Sequence, residues 1–320
     1  MGIVALVRAL AAMCLALVVA SGCGGEDSGP VEVAGSSTEA TGAQLPDWVD
    51  AELGSHFVAL TMGTSDYAPG DIRVSFLVIR NDGSLVQSPR AEVLIGPDGG
   101  TAATGKAEAV LEPIEAHSHP GGAEPHDHED ITDIYVAHVS APKPGRYWLV
   151  VSPSGADLQG VGSIDVREQT ASVPVGARAP ASENPTLADR PATEITTARP
   201  PDTDLLRFSV ADSLAEHVPF VVVFATPAYC TSRTCGPTVE TVQEAAEQNA
   251  GSGIRFIHIE IYKDNDPKKG FNEWVREWRL PTEPWIFLVD GSGRVRAKLE
   301  GAVSVDELAQ AVRENIRRGP

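Results

Sequence analysis

Residues 219–225, read as Pro-Phe-Val-Val-Val-Phe-Ala, form an almost unbroken apolar run. A strand with one face on a core alternates apolar and polar residues, whereas a strand covered on both faces is apolar throughout. The run therefore predicts a central strand with helices on either side, which restricts the C-terminal third to an α/β architecture. The residues that follow have that texture. Residues 237–248 read as a helix stopped near Gly251, and 254–261 are β-branched and strand-like. Asp266-Pro267 opens a second helix through Trp278, by cap and first-turn chemistry. Residues 285–289 and 295–299 make a hairpin around Asp290-Gly291-Ser292-Gly293. Ser304 and Glu307 form a capping box ahead of an amphipathic helix that carries Leu308, Val312 and Ile316.

The region before it reads differently. Ile72, Val74, Phe76 and Val78 share one face of a strand, which Asn81-Asp82-Gly83 ends with turn chemistry. Further strands fall at 57–62, 91–95, 107–111, 134–139, 147–151 and 163–166, most of them separated by Gly or Pro. About seven short strands in roughly 110 residues, with no helix, predict an all-β sandwich of immunoglobulin type, here without the hallmark cysteine pair. Two cores suit a chain of 320 residues, because a single core usually stops growing before that length. The expected organisation is a signal peptide at 1–22, a flexible tether at 23–53, the β-sandwich at 54–168, a linker at 169–204 and the α/β domain at 205–320. The tether rests on 24–46, which hold scarcely a large apolar residue and cannot offset their own ordering entropy. The linker is rich in Pro, Ala and Thr with little apolar periodicity.

At the N-terminus, Arg8 precedes the apolar run 9–20, which is short for a bilayer span and fits a signal-peptide core. It ends in Ala20-Ser21-Gly22-Cys23. Small residues before a cysteine resemble the lipobox of bacterial lipoproteins, although Ala20 stands where Leu is usual and Arg8 is the single positive charge. The resemblance implies lipidation of the Cys23 thiol, cleavage just before it, and a place on the extracytoplasmic face of the cell membrane. An uncleaved membrane helix over 2–20 is the alternative. The net charge of -19 comes with no basic cluster, which argues against nucleic acid as a partner and leaves the lipid anchor as the means of membrane contact. Processing would remove Cys14 and consume Cys23, so Cys230 and Cys235 would be the remaining thiols. In an oxidising compartment such a pair reads as a disulfide or a redox couple.

The order β-α-β-α-β-β-α over about 115 residues resembles the thioredoxin fold. Phe224-Ala225-Thr226-Pro227-Ala228-Tyr229-Cys230 is similar to the strand-end stretch of that family in which an aromatic residue precedes the first active-site cysteine. Thr282-Glu283-Pro284-Trp285 is similar to the segment that carries its cis-proline. The resemblance implies that Cys230 is the first cysteine and Pro284 the cis-proline facing it, with Pro281 as the alternative if the register shifts by three. Residues 175–180 are similar to the lead-in that precedes the first strand in peroxiredoxin-like and cytochrome-maturation relatives.

A cysteine where a strand gives way to a helix meets unpaired backbone N–H groups, which favour the thiolate that attacks disulfides. Arg233 could add to that field. The spacing departs from the family, since four residues rather than two separate Cys230 from Cys235. Five steps along an α-helix rise about 7.5 Å and turn about 140°, while a disulfide needs Cα atoms within about 7 Å. Either Cys230 lies in a loop and the helix begins near Gly236-Pro237, or the first turn unwinds when the bond forms. Peroxiredoxins of the bacterioferritin-comigratory class share the four-residue spacing, but their threonine stands three residues before the cysteine and Thr226 stands four before Cys230, so peroxidase activity is the lesser expectation. Copper-delivery proteins of this fold separate their cysteines by three residues and add a distant histidine, for which His258 is the candidate, against the plainer reading of a structural strand-face histidine.

A second cluster comprises His117 and His119, then His126-Asp127-His128 across Gly121-Gly122, with His138 beyond. Imidazole and carboxylate suit Zn(II), Cu(II) or Ni(II), so His117, His119, His126 and His128 are candidate ligands for a divalent metal, against the plainer reading of a solvated loop. The function expected is an extracytoplasmic thiol-disulfide oxidoreductase that needs no cofactor and works on exported protein thiols or disulfides through Cys230, Cys235 and Pro284. The alternatives are a copper- or zinc-handling lipoprotein and a non-catalytic binding lipoprotein with a structural disulfide.

Overall fold

The computed structural model of the chain describes residues 45–114, 131–230 and 234–316. A short helix, α1 (Asp47–Glu52), leads into seven strands: β1 (Phe57–Met62), β2 (Gly70–Val78), β3 (Arg90–Pro97), β4 (Gly105–Pro113), β5 (Asp133–Ala141), β6 (Gly145–Pro153) and β7 (Gln159–Val166). They form a closed barrel in the order β1-β2-β5-β4-β3-β6-β7, rather than the expected immunoglobulin-like sandwich. Closure comes from a parallel pairing of the first and last strands, with Phe57, Val58 and Ala59 opposite Gln159, Gly160 and Val161. Gly160 and Gly162 make room for it. A Cβ on Gly160 would stand 2.3 Å from Leu60 Cδ2, and one on Gly162 would stand 3.1 Å from Leu60 Cβ, so the two glycines seat the leucine of the facing strand. The alternating pattern of the strands fills the interior with Val74, Phe76, Val93, Tyr135, Leu149 and Val151. Phe76 and Tyr135 stack there at 5.6 Å. Outside the barrel, Trp48 and Val49 of α1 are buried against Val150 and Val161, so residues 47–52 of the expected tether are a packed helix.

The C-terminal region holds β8 (Phe220–Phe224), β9 (Arg255–Ile259), β10 (Trp285–Val289) and β11 (Val295–Glu300) in the order β11-β10-β8-β9. Strand β9 runs parallel to β8, and β10 antiparallel to it. All five residues of β8 and of β10 are buried, as a strand covered on both faces requires. Val221 and Val223 pack under α4 (Cys235–Gln248) and α6 (Val305–Asn315), against Val239, Val242, Leu308 and Val312. Phe220, Val222 and Phe224 face the other way, onto Val210, Val275, Trp278 and Phe287. That side is covered by α3 (Val210–Ala215) and α5 (Glu273–Glu277), with α2 (Ala192–Ile195) preceding them in the chain. The helix expected from Asp266 through Trp278 is interrupted. Residues Pro267–Lys269 make a single 3-10 turn, Gly270 takes φ of 71°, and a new helix starts where the Asn272 side chain accepts from Val275 N–H at 3.0 Å.

Residues 169–204 do not span open space. Val173 and Ala179 enter the core beside β10. Gly176 N–H donates to Val295 O at 2.8 Å and Val295 N–H to Ala177 O at 2.9 Å, which pairs this segment with the outer side of β11. Asp66, on the loop after β1, accepts from Ser172 N–H (3.0 Å), Ser172 Oγ (2.7 Å) and Ala171 N–H (2.7 Å). Burial opposes the Asp66 charge, but these donors and Lys298 at 3.5 Å outweigh it and hold the carboxyl below its usual range. Glu300 at the end of β11 accepts from Ser65 N–H (2.8 Å), Asp66 N–H (2.9 Å) and Thr282 Oγ1 (2.7 Å). One carboxylate thus ties the barrel loop to the loop before β10. Arg73 of β2 adds a forked pair with Glu307 of α6 and donates to the carbonyls of Glu300 and Ala302.

Candidate active site

The site is built where β8 ends. Ala225 N–H still bonds Ile259 O on β9 at 3.2 Å; the chain then turns through Thr226-Pro227-Ala228, with Tyr229 N–H donating to Thr226 O. Two buried polar groups hold this turn from below. Ala228 N–H donates to Thr197 Oγ1 (3.1 Å), which itself donates to Glu260 (2.7 Å). His258 lies 3.2 Å from Ala225 O through Nε2 and 3.3 Å from Thr196 Oγ1 through Nδ1. It is buried, and burial pushes its pKa down. These contacts give the histidine a supporting place beneath the turn, with its ring bonded to Ala225 O and Thr196 Oγ1 rather than to the sulfurs.

Cys230 is half-buried in the loop, and Cys235 is fully buried as the first residue of α4. This is the first of the two geometries open to a four-residue spacing: one cysteine stands outside the helix and the other begins it. Cys235 N–H donates to Cys230 Sγ at 3.2 Å, so a helix-terminal donor lies against the more accessible sulfur and favours negative charge there. Cys235 Sγ–H donates to Glu283 Oε2 at 2.9 Å. Burial raises the Cys235 pKa strongly, and the hydrogen bond and charge of Cys230, followed by the Glu283 carboxylate, raise it further. The two sulfurs are thus unequal: Cys235 is a buried hydrogen-bond donor, and Cys230 is the more accessible acceptor.

Glu283 immediately precedes Pro284, and the Glu283–Pro284 peptide is cis, whereas Pro281 follows a trans bond. Pro284 is buried, and its carbonyl accepts from Gly301 N–H at 2.9 Å. Sequence reasoning passed over Glu283 because a single carboxylate has no pattern. Its place directly before the cis-proline was the available signal. Beside Cys230, Tyr229 meets Tyr262 edge-on at 6.3 Å and Tyr262 stacks on Phe271 at 5.4 Å. Burial and the nearby Glu283 and cysteine charges raise the Tyr262 pKa. Thr226, four residues ahead of Cys230, is buried, and its Oγ1 has no hydrogen-bond partner among the described residues. Cys23, Arg233 and the candidate ligands His117, His119, His126 and His128 lie outside the described residues.

Sheet order, strand directions, the cysteine at the start of α4 and the cis-proline define the C-terminal region as a thioredoxin-fold module with a neighbouring dithiol. Among solved structures, the chain is similar to a thiol:disulfide interchange protein of the thioredoxin family from Chlorobium tepidum TLS, at 16% identity and a TM-score of 0.32. That match covers 45% of this chain and 99% of the other. No protein-family model matches the chain, and no curated protein does.

Proposed function

We propose that the protein is a thiol-disulfide oxidoreductase in which Cys230 is the attacking thiolate, Cys235 the resolving thiol and Glu283 the acceptor of the Cys235 proton. The observation that carries this reading is the chain of contacts from Glu283 through Cys235 to Cys230 Sγ. In the reducing direction Cys230 attacks one sulfur of a substrate disulfide, and the other leaves as a thiolate that takes a proton. The Cys235 proton then passes to Glu283, and the freed Cys235 sulfur attacks Cys230 Sγ. This forms the protein disulfide, releases the second substrate thiol and transfers two electrons to the substrate. The same steps reversed oxidise a dithiol. Pro284, which follows Glu283 directly and has no N–H to donate, would meet the substrate backbone beside Cys230.

Limited alkylation of the reduced protein tests the assignment. Cys230 should react about 100-fold faster than Cys235 with iodoacetamide at neutral pH, read by mass spectrometry of the digested chain. Equal labelling would remove the distinction between the two roles.

The expected substrates are exported protein thiols or disulfides, reached from the extracytoplasmic side through a lipid on Cys23. The small residues ahead of that cysteine support the anchor, and no described helix is long and apolar enough to cross a membrane. Cys23→Ser should move the protein out of the membrane fraction or leave a larger precursor. Unchanged fractionation and migration would overturn the lipidation.

A further inference from the structure

We infer that Cys230, Cys235 and Glu283 together form a zinc(II) site whenever the cysteine pair is reduced. The two sulfurs and a Glu283 oxygen all lie within 4.8 Å of one another. A tetrahedral zinc with bonds of about 2.3 Å to sulfur and about 2.1 Å to oxygen sets its two sulfurs about 3.8 Å apart and each sulfur about 3.6 Å from the oxygen. The three ligand atoms are thus gathered to within about an ångström of the required triangle before any ion arrives. The 2.9 Å contact of Cys235 Sγ with Glu283 Oε2 exists because a proton bridges them. Zinc replaces that proton, and the two atoms need to part only to about 3.6 Å.

The donor set selects the metal. Two thiolates alone suit Cu(I) as well as zinc, but a carboxylate is a hard oxygen donor that zinc accepts and Cu(I) does not favour. The surroundings suit a bound ion too. Cys235 is fully buried and forms a dry wall, while Cys230 is half-buried and can be reached from solvent. Cys235 N–H bonds Cys230 Sγ from behind at 3.2 Å, the kind of outer contact that orients a ligating sulfur. Binding displaces the Cys235 proton, and that of Cys230 where it is still a thiol, to solvent and moves no electrons. The disulfide offers no thiolate, so zinc and oxidation compete for the same pair. The inference stands on ligand geometry and does not depend on the exchange reaction.

The test is competitive titration of the full-length chain with Zn(II) against a chromophoric chelator, in a background where His117, His119, His126 and His128 are alanine. The reduced chain should hold one zinc and the disulfide form none. Substitution by Co(II) should give a thiolate-to-metal charge-transfer band that Cys235→Ser weakens. Glu283→Gln should weaken zinc binding by about 10- to 100-fold, and Cys230→Ser by more. Because Cys235→Ser removes a buried side chain, circular dichroism of each variant is recorded alongside, and Glu283→Gln supplies the arm that leaves the core untouched. Equal zinc affinity of the disulfide form overturns the inference, as does a Glu283→Gln chain that binds zinc as tightly as its parent.

Discussion

Replacing Cys230 with serine should abolish disulfide exchange, lowering the rate by about three orders of magnitude or more to the uncatalysed background. Replacing Cys235 should instead stop the reaction halfway. In the Cys235→Ser chain the Cys230 sulfur remains half-buried at the head of α4 and can still form a mixed disulfide. No second thiol is left to release the partner, so the covalent adduct should accumulate and appear on non-reducing gels. The asymmetry follows from burial: a substrate disulfide can reach Cys230, but not the fully buried Cys235. Adducts on Cys230→Ser and none on Cys235→Ser would exchange the two roles. Absence of adducts from both, with a reduction potential below roughly -300 mV, would make the disulfide structural.

The largest structural effect is expected at Gly301. Its φ is 76°, and a Cβ there would stand 2.4 Å from the carbonyl oxygen of Gly63 in the barrel loop. Backbone cannot swing aside as a flexible side chain does, so Gly301→Ala must shift either the barrel loop or the end of β11. The left-handed backbone and the clash together should cost about 2–5 kcal/mol in urea unfolding. Gly251 supplies the comparison. Its φ is 75° but a Cβ there meets nothing within 4 Å, so Gly251→Ala should cost only about 1 kcal/mol. Equal costs at the two positions would show that the contact with Gly63 does not matter. Gly301 N–H also bonds the Pro284 carbonyl, so hydrogen exchange at Gly301 should quicken in the Gly301→Ala chain.

Much of this was legible in the chain because local pattern and local structure coincide. The apolar run 219–225 became β8, wholly buried, and the alternating segments became barrel strands with the same faces turned inward. Closure was not legible. It depends on pairing Phe57 with Gln159 and on two glycines that matter only because Leu60 lies against them, a relation between positions about a hundred residues apart. The cysteines could be singled out because few residue types do their chemistry and their spacing constrains helix geometry. Glu283 is one of 44 acidic residues, and apart from its place before Pro284 nothing sets it apart until the fold turns it toward Cys235. Val173 and Ala179 were hidden in a stretch whose composition reads as linker, since two apolar residues six apart give no period.

Barrel closure also bears on how such a chain avoids pairing with its neighbours. An open sandwich ends in strands whose free N–H and C=O groups can template pairing with another molecule. Here the parallel seam between β1 and β7 removes those ends, and the start of β11 is occupied by Gly176 and Ala177. Copies of the chain at high concentration would therefore meet one another mostly through side chains, with β9, among the described residues, the strand whose outer side no other strand covers.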